Sequence, residues 1–292
     1  MSMSEIAAAQ AFLLRTQNSD GGWGYVVGHA SNVEATAVAA LALTCLAGEP
    51  AAARRGVAWL QAAQRADGGW GLTADDAESG WQTAWALLAL VRCRGDEAVV
   101  QRGVAQLLAA QPMHFDRSED VRWVKAVLGI NPNLRGWPWL PGQVAWVEPT
   151  ALTLLALAPW AAAPEVSPRL AEGVGYLQDR RCNGGGWNVG NPVMFSRPLP
   201  PRAVPTAWVL LALAAVAPQA IQDDDVRVLR SEMLADGGAS ALAWGLLALA
   251  ALDQEERVAA DRLRAGQAAD GGWDTSPYHT AAALLALAGG WP

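Results

Sequence analysis

The stretch Gln64-Arg65-Ala66-Asp67-Gly68-Gly69-Trp70, followed a short loop later by Thr83-Ala84-Trp85-Ala86-Leu87-Leu88-Ala89-Leu90, decides the fold. A glycine pair after a polar segment ends a helix, because glycine alone takes the left-handed backbone at no steric cost. The tryptophan that follows is a large apolar group with one N–H to satisfy. The alanine-leucine run has no polar face, so it predicts a helix surrounded by protein. Ahead of the loop, Ala51 to Gln64 keeps its charges to one side and reads as an amphipathic helix.

The same order recurs along the chain. Glycine loops with tryptophan occur at Asp20-Gly21-Gly22-Trp23, Gly136-Trp137, Gly184-Gly185-Gly186-Trp187 and Asp270-Gly271-Gly272-Trp273, and Asp236-Gly237-Gly238 carries Ala239 in place of the indole. The apolar runs that follow are Ala35–Leu43, Thr150–Leu157, Thr206–Leu213, Leu242–Leu249 and Thr280–Leu287. Gln17, Gln64, Gln178 and Gln267 lie just upstream of four loops, and each is read as the partner or stacking surface of its indole. The third unit is irregular. It has a long insertion through Pro112-Met113-His114-Phe115, a helical stretch Glu119 to Leu128 and Gly136-Trp137-Pro138-Trp139. Self-similarity of this kind marks a repeat architecture in which each unit buries its apolar face against its neighbours. We therefore expect an all-α protein, a single (α/α)6 toroid of six helical hairpins filling residues 1–292, despite a length that by itself suggests two domains.

Composition narrows the class. Among 292 residues, 52% are hydrophobic and 17% charged, and the 15 tryptophans outnumber the three tyrosines and three phenylalanines. Such a chain buries a large core, which excludes disorder. Three cysteines make no disulfide framework, and a net charge of −7 offers no footprint for nucleic acid. The longest apolar runs, Val204 to Ala217 and Ala151 to Ala163, fall short of the ~20 residues of a membrane-spanning helix. No basic stretch precedes the first apolar residues as in a signal peptide, so a cytoplasmic protein with reduced cysteines is expected, with peripheral membrane contact left open.

Gln followed by Asp-Gly-Gly-Trp and then a Thr-Ala-x-x-Leu-Leu-Ala-Leu helix resembles the repeat of the squalene–hopene cyclase and protein prenyltransferase superfamily, over about residues 5 to 290. The resemblance implies an α/α toroid whose inner helices start at the end bearing the glycine loops. It implies a class II-type terpenoid cyclase acting on an isoprenoid, or another hydrophobic small molecule, in a central apolar cavity. The cyclases carry an acid motif, Asp-x-Asp-Asp-Thr-Ala, whose third residue is the proton donor. Aligned on Thr-Ala, this chain has Asn32-Val33-Glu34-Ala35 and Trp146-Val147-Glu148-Pro149, so Glu34 is the expected acid and Glu148 the second choice. The flanking aspartates are absent, and a carboxylate at a helix N-terminus has a purely structural use as well.

Tyr278-His279-Thr280 is similar to a prenyltransferase segment in which the histidine binds zinc. The companion ligands are missing here, so neither a metal nor another cofactor is expected. If the first and last repeats are neighbours, His279 approaches Glu34, and the two form a polar pair at the cavity mouth. Trp81, Trp85, Trp146, Trp208 and Trp244, with Tyr278, lie near inner-helix starts and are expected to line the cavity, where aromatic faces suit both an isoprenoid and a carbocation. Asp223-Asp224-Asp225 and the Asp75-Asp76-Glu78 loop read as a helix cap and a solvated loop. Trp59, Trp123, Trp139, Trp160 and Trp291 receive no role. Two alternatives stay open from sequence: a non-catalytic carrier of isoprenoids or other hydrophobic ligands, and a toroid used for protein interaction.

Overall fold

The computed structural model describes residues 3–45 and 50–288; Trp291 lies outside them. In chain order the α-helices are α1 (Met3–Thr16), α2 (Val33–Cys45), α3 (Pro50–Ala62), α4 (Gln82–Arg92), α5 (Glu97–Ala109), α6 (Ser118–Leu128), α7 (Val147–Leu157), α8 (Ser167–Asp179), α9 (Ala203–Val216), α10 (Asp223–Asp236), α11 (Ala239–Ala250), α12 (Arg257–Ala265) and α13 (Pro277–Ala288). Two short antiparallel ladders interrupt them: β1 (Trp137–Pro138) with β2 (Ala145–Trp146), and β3 (Val193–Met194) with β4 (Arg197–Pro198). No helix among the described residues is long and apolar enough to cross a membrane. The expected apolar runs all fall inside helices, namely α2, α4, α7, α9, α11 and α13. In α2 every residue from Val33 to Leu43 is buried, as a helix without a polar face requires.

The chain divides into two compact units, residues 1–106 with 237–292, and residues 107–236. In the first unit α2 packs on α3, α4 and α13, and α13 packs on α1, α11 and α12. The first and last repeats are therefore direct neighbours. In the second unit α7 packs on α8 and α9, α9 also packs on α10, and α6 meets β3.

The tryptophan loops follow one hydrogen-bonding scheme. The indole N–H of Trp23, Trp70, Trp137, Trp187 and Trp273 donates to the carbonyl of Leu13, Leu60, Leu107, Leu177 and Leu263, at 2.7 to 2.8 Å. These leucines sit in the last turns of α1, α3, α5, α8 and α12, so each indole donates to a carbonyl at a helix end, where the regular helix ladder supplies no partner. The backbone N–H of the same tryptophans donates to Thr36, Thr83, Thr150, Thr206 and Thr280 of the following apolar helix. The tryptophan thus ties the helix before its loop to the helix after it.

The upstream glutamine is not the indole's partner, contrary to the sequence expectation. Gln17 donates instead to the Gly21 and Ala52 carbonyls, Gln64 to Gly68 and Val99, and Gln267 to Gly271 and Glu5. Each amide has two donors and clips the loop to the start of the neighbouring outer helix. A glycine on that helix receives the indole: a Cβ built on Gly56 would lie 2.8 Å from Trp23, and one on Gly173 would lie 2.7 Å from Trp137. Trp59, unassigned from sequence, donates from its indole to Asp20 of the first loop at 3.0 Å.

The two acidic clusters are structural. Asp225 is fully buried and accepts from Gly186 N–H, Gln222 N–H and Arg181. Asp76 accepts from the N–H groups of Leu72 and Thr73 in its own loop, which hold its carboxyl below the usual range, the Thr73 N–H most strongly.

Candidate active site

Glu34 lies in the first turn of α2, where Asn32 caps the helix by accepting from Ala35 N–H at 2.8 Å. Its side chain is 5% exposed. A carboxylate at that depth loses most of its hydration, and this desolvation pushes its pKa up to about 7, against the smaller downward pull of hydrogen bonds from Tyr25 and Tyr278. Tyr25 donates its phenol O–H to Glu34 Oε2. Both phenols are pushed up in turn by their own burial and by the adjacent carboxylate, so they remain O–H donors.

An aromatic cluster continues from the two phenols. The rings of Tyr25 and Tyr278 meet edge to face, with centroids 5.9 Å apart. Trp244 of α11 donates from its indole to the Tyr278 oxygen at 3.0 Å, and its ring centroid lies 6.3 Å from that of Tyr278. Trp85 of α4 follows at 5.4 Å from Trp244. Trp244 thus donates to Tyr278, and the Tyr278 phenol in turn neighbours the Glu34 carboxyl. The phenols stay polarised toward the carboxyl group, which a chain of hydrogen bonds favours.

The structure thus joins four of the sequence candidates, Glu34, Tyr278, Trp244 and Trp85, within the first unit. It adds Tyr25, which the sequence reading missed. A signal was available: Tyr25 occupies the place two residues after the loop tryptophan, where the second loop has Leu72. Trp81, half-buried, immediately precedes α4 in the same unit.

His279 does not pair with Glu34, which corrects the sequence expectation. Its Nδ1 lies 2.9 Å from Asp274 Oδ2, at a half-exposed position. The reason is local geometry. Successive residues of a helix start point about 100° apart, so Tyr278 faces the core while His279 turns back over the loop before α13. Among the described residues no group of three or more histidine, cysteine, aspartate or glutamate side chains could hold a metal ion.

The remaining candidates belong to the second unit. Glu148 is half-buried in the first turn of α7, with Pro149 in the same turn. Trp146 closes β2, its carbonyl accepts from Thr150 O–H at 2.6 Å, and a Cβ built on Gly190 would lie 2.7 Å from its ring. Trp208 is buried in α9.

Residues 5–123 match the family described as squalene-hopene cyclase C-terminal domain. No curated protein sequence matches the chain. Solved structures share its fold. A protein from Actinoplanes is 21% identical, covering 98% of both chains at a TM-score of 0.66. The type II terpene cyclase MstE from Scytonema is 23% identical, over 92% of this chain and 80% of its own, at a TM-score of 0.62. Variants of MstE hold its product, merosterolic acid A, and its substrate, geranylgeranyl dihydroxybenzoate. An alpha-amylase from Clostridium perfringens, 12% identical over 98% of both chains, has a TM-score of 0.65, so the fold is shared with glycosidases too. Residues 5–123 are thus similar to the squalene-hopene cyclase C-terminal domain, and the chain as a whole is all-α in class, with a fold resembling the α/α toroid of the type II terpene cyclases.

Proposed function

We propose that the protein is a class II-type terpenoid cyclase in which Glu34 is the acid. The observation that carries this reading is the buried Glu34 carboxyl, which accepts from the Tyr25 phenol and neighbours Tyr278, behind which Trp244 and Trp85 stack in turn. Burial pushes the Glu34 pKa up to about 7, so a large share of the group holds its proton near neutral pH. The acid transfers that proton to a terminal alkene carbon or epoxide oxygen of the isoprenoid. A tertiary carbocation forms, the chain's own alkenes attack it in turn to close rings, and the last cation loses a proton. The net reaction is an isomerisation. Burial penalises a lone carboxylate, but a cation formed beside it offsets that penalty, and the Tyr25 and Tyr278 hydroxyls stabilise the charge left behind. Trp244 and Trp85 offer aromatic faces to the cation.

In the same reading, Trp81 and the Tyr278 ring contribute to the apolar wall of the first unit. The cytoplasm is the compartment we infer for the protein. Geranylgeranyl dihydroxybenzoate, the substrate of MstE, indicates the kind of molecule to try first. Glycoside hydrolysis is a poorer match for this site. It needs two carboxyl groups flanking one bond, whereas Glu34 is engaged by phenols and Asp274 by His279.

The test is incubation with squalene, oxidosqualene, geranylgeranyl diphosphate and geranylgeranyl dihydroxybenzoate, with mass-spectrometric analysis for cyclic isomers. Cyclic product that disappears in Glu34→Gln is the expected result. Saturable binding of the same lipids without product would replace the enzyme reading by that of a carrier.

A further inference from the structure

The loop between Trp273 and α13 is unusual in ways the acid alone does not explain. Asp274 and Thr275 both take the left-handed backbone, at φ 52° each, where the chain carries no glycine. Two consecutive positive φ values make a tight reversal that normally calls for Asn-Gly or Gly-Gly. The Ser276 N–H closes it by donating to the Trp273 carbonyl at 2.9 Å. Such strain persists only where the surroundings enforce it.

Three contacts enforce it, and two of them reach the loop that carries Tyr25. The Ser276 hydroxyl donates to the Tyr25 carbonyl at 2.6 Å and also accepts from His279 N–H at 3.3 Å. Val27 N–H donates to the Thr275 carbonyl at 3.4 Å. The third contact is the Asp274–His279 pair at 2.9 Å, which ties the turn to the helix that begins just after it.

We propose that the turn 273–276, fastened by the Asp274–His279 pair, is a clamp that sets the Tyr25 phenol on Glu34, so that Asp274, Ser276 and His279 are positioning residues acting on the acid through Tyr25. His279 thereby gains a role it does not have by direct contact, and the backbone strain gains a use. The purpose of the clamp rests on the reading of Glu34 as the acid; its existence does not. The ionisable side chains that meet Glu34 are Tyr25 from the clamped loop and Tyr278 from α13, and Tyr278 stays intact in every variant of the test.

The experiment is an infrared titration of the Glu34 carboxyl band in the full-length protein without substrate. The band is identified by subtracting the Glu34→Gln spectrum. Tyr25→Phe keeps the ring and removes the donor, and should move the Glu34 midpoint up by about one pH unit, the worth of a hydrogen bond to a charged group. Ser276→Ala, Asp274→Ala and His279→Gln should each move it up by less, and none should move it further in the Tyr25→Phe background. A direct field from the pair predicts otherwise, because removing the Asp274 charge would lower the midpoint. The proposal is overturned if Asp274→Ala lowers the midpoint, if the His279→Gln shift survives in Tyr25→Phe, or if none of the three variants moves it. Absence of cyclisation would count against the proposed function and leave this titration unaffected.

Discussion

Replacing Glu34 by glutamine should change how stability depends on pH, in a direction fixed by burial. The folded protein holds the Glu34 proton up to about pH 7, whereas the ordinary carboxyl value is 4.5. Below pH 4.5 both states carry the proton and the group adds no pH dependence. Between pH 4.5 and 7 the unfolded chain releases it and the folded protein keeps it, so unfolding gains and stability falls as pH rises. The slope is about 1.4 kcal/mol per pH unit, and over the whole interval the loss is about 3 kcal/mol. Above pH 7 both states are ionised and the loss is complete. Glutamine has nearly the same shape and does not titrate. The difference in unfolding free energy, wild type minus Glu34→Gln, should therefore drop by about 3 kcal/mol from pH 4.5 to 7.5 and then level off, while the shared titrations of other groups cancel. Urea unfolding of both proteins at half-unit pH steps, followed by circular dichroism, measures it. A flat difference curve would show that Glu34 is ordinary and hydrated. A rising one would show a carboxylate stabilised by its partners rather than an acid kept neutral by burial.

Other substitutions probe the scaffold and the aromatic wall. Gly56→Ala should destabilise by about 1–3 kcal/mol, since overpacking against the buried Trp23 outweighs alanine's better helix propensity; a thermal melt unchanged or raised would disprove the glycine notch. Asp225→Ala removes one partner of a buried ion pair and should cost about 3–5 kcal/mol in chemical denaturation. Thr36→Ala leaves the buried Trp23 N–H without its acceptor and should cost about 1–3 kcal/mol, whereas Thr36→Ser should recover most of it. Trp244→Phe keeps an aromatic face but removes the donor to Tyr278, so turnover should fall while lipid binding changes little; equal losses in both would mean that the indole is only wall.

Much of the scaffold was legible because its determinants are close in sequence. The indole and its carbonyl partner are ten residues apart in four of the five loops, and the spacing survives from repeat to repeat. The inner helices could be read from their lack of a polar face, and Glu34 from its place before Thr36-Ala37. The glutamine's role was misread because its acceptors include carbonyls of the neighbouring helix, Ala52 for Gln17 and Val99 for Gln64, which no local pattern announces. His279 was assigned to Glu34 because adjacency of the first and last repeats brings them close. Adjacency alone does not say which way a side chain turns at a helix start.

The sequence by itself determined the repeated helix–loop–helix unit, the buried character of the alternate helices and the likeness to the squalene–hopene cyclases. These rest on periodicity and on contacts within a unit, and both are written locally. Tertiary structure alone decided the environment of the acid. Tyr25 and Ser276 are 251 residues apart and meet only because the last repeat packs against the first. The pKa of the Glu34 carboxyl is pushed up to about 7 because burial removes its water. Desolvation is a property of everything packed around a group, so no motif around Glu34 could have stated it.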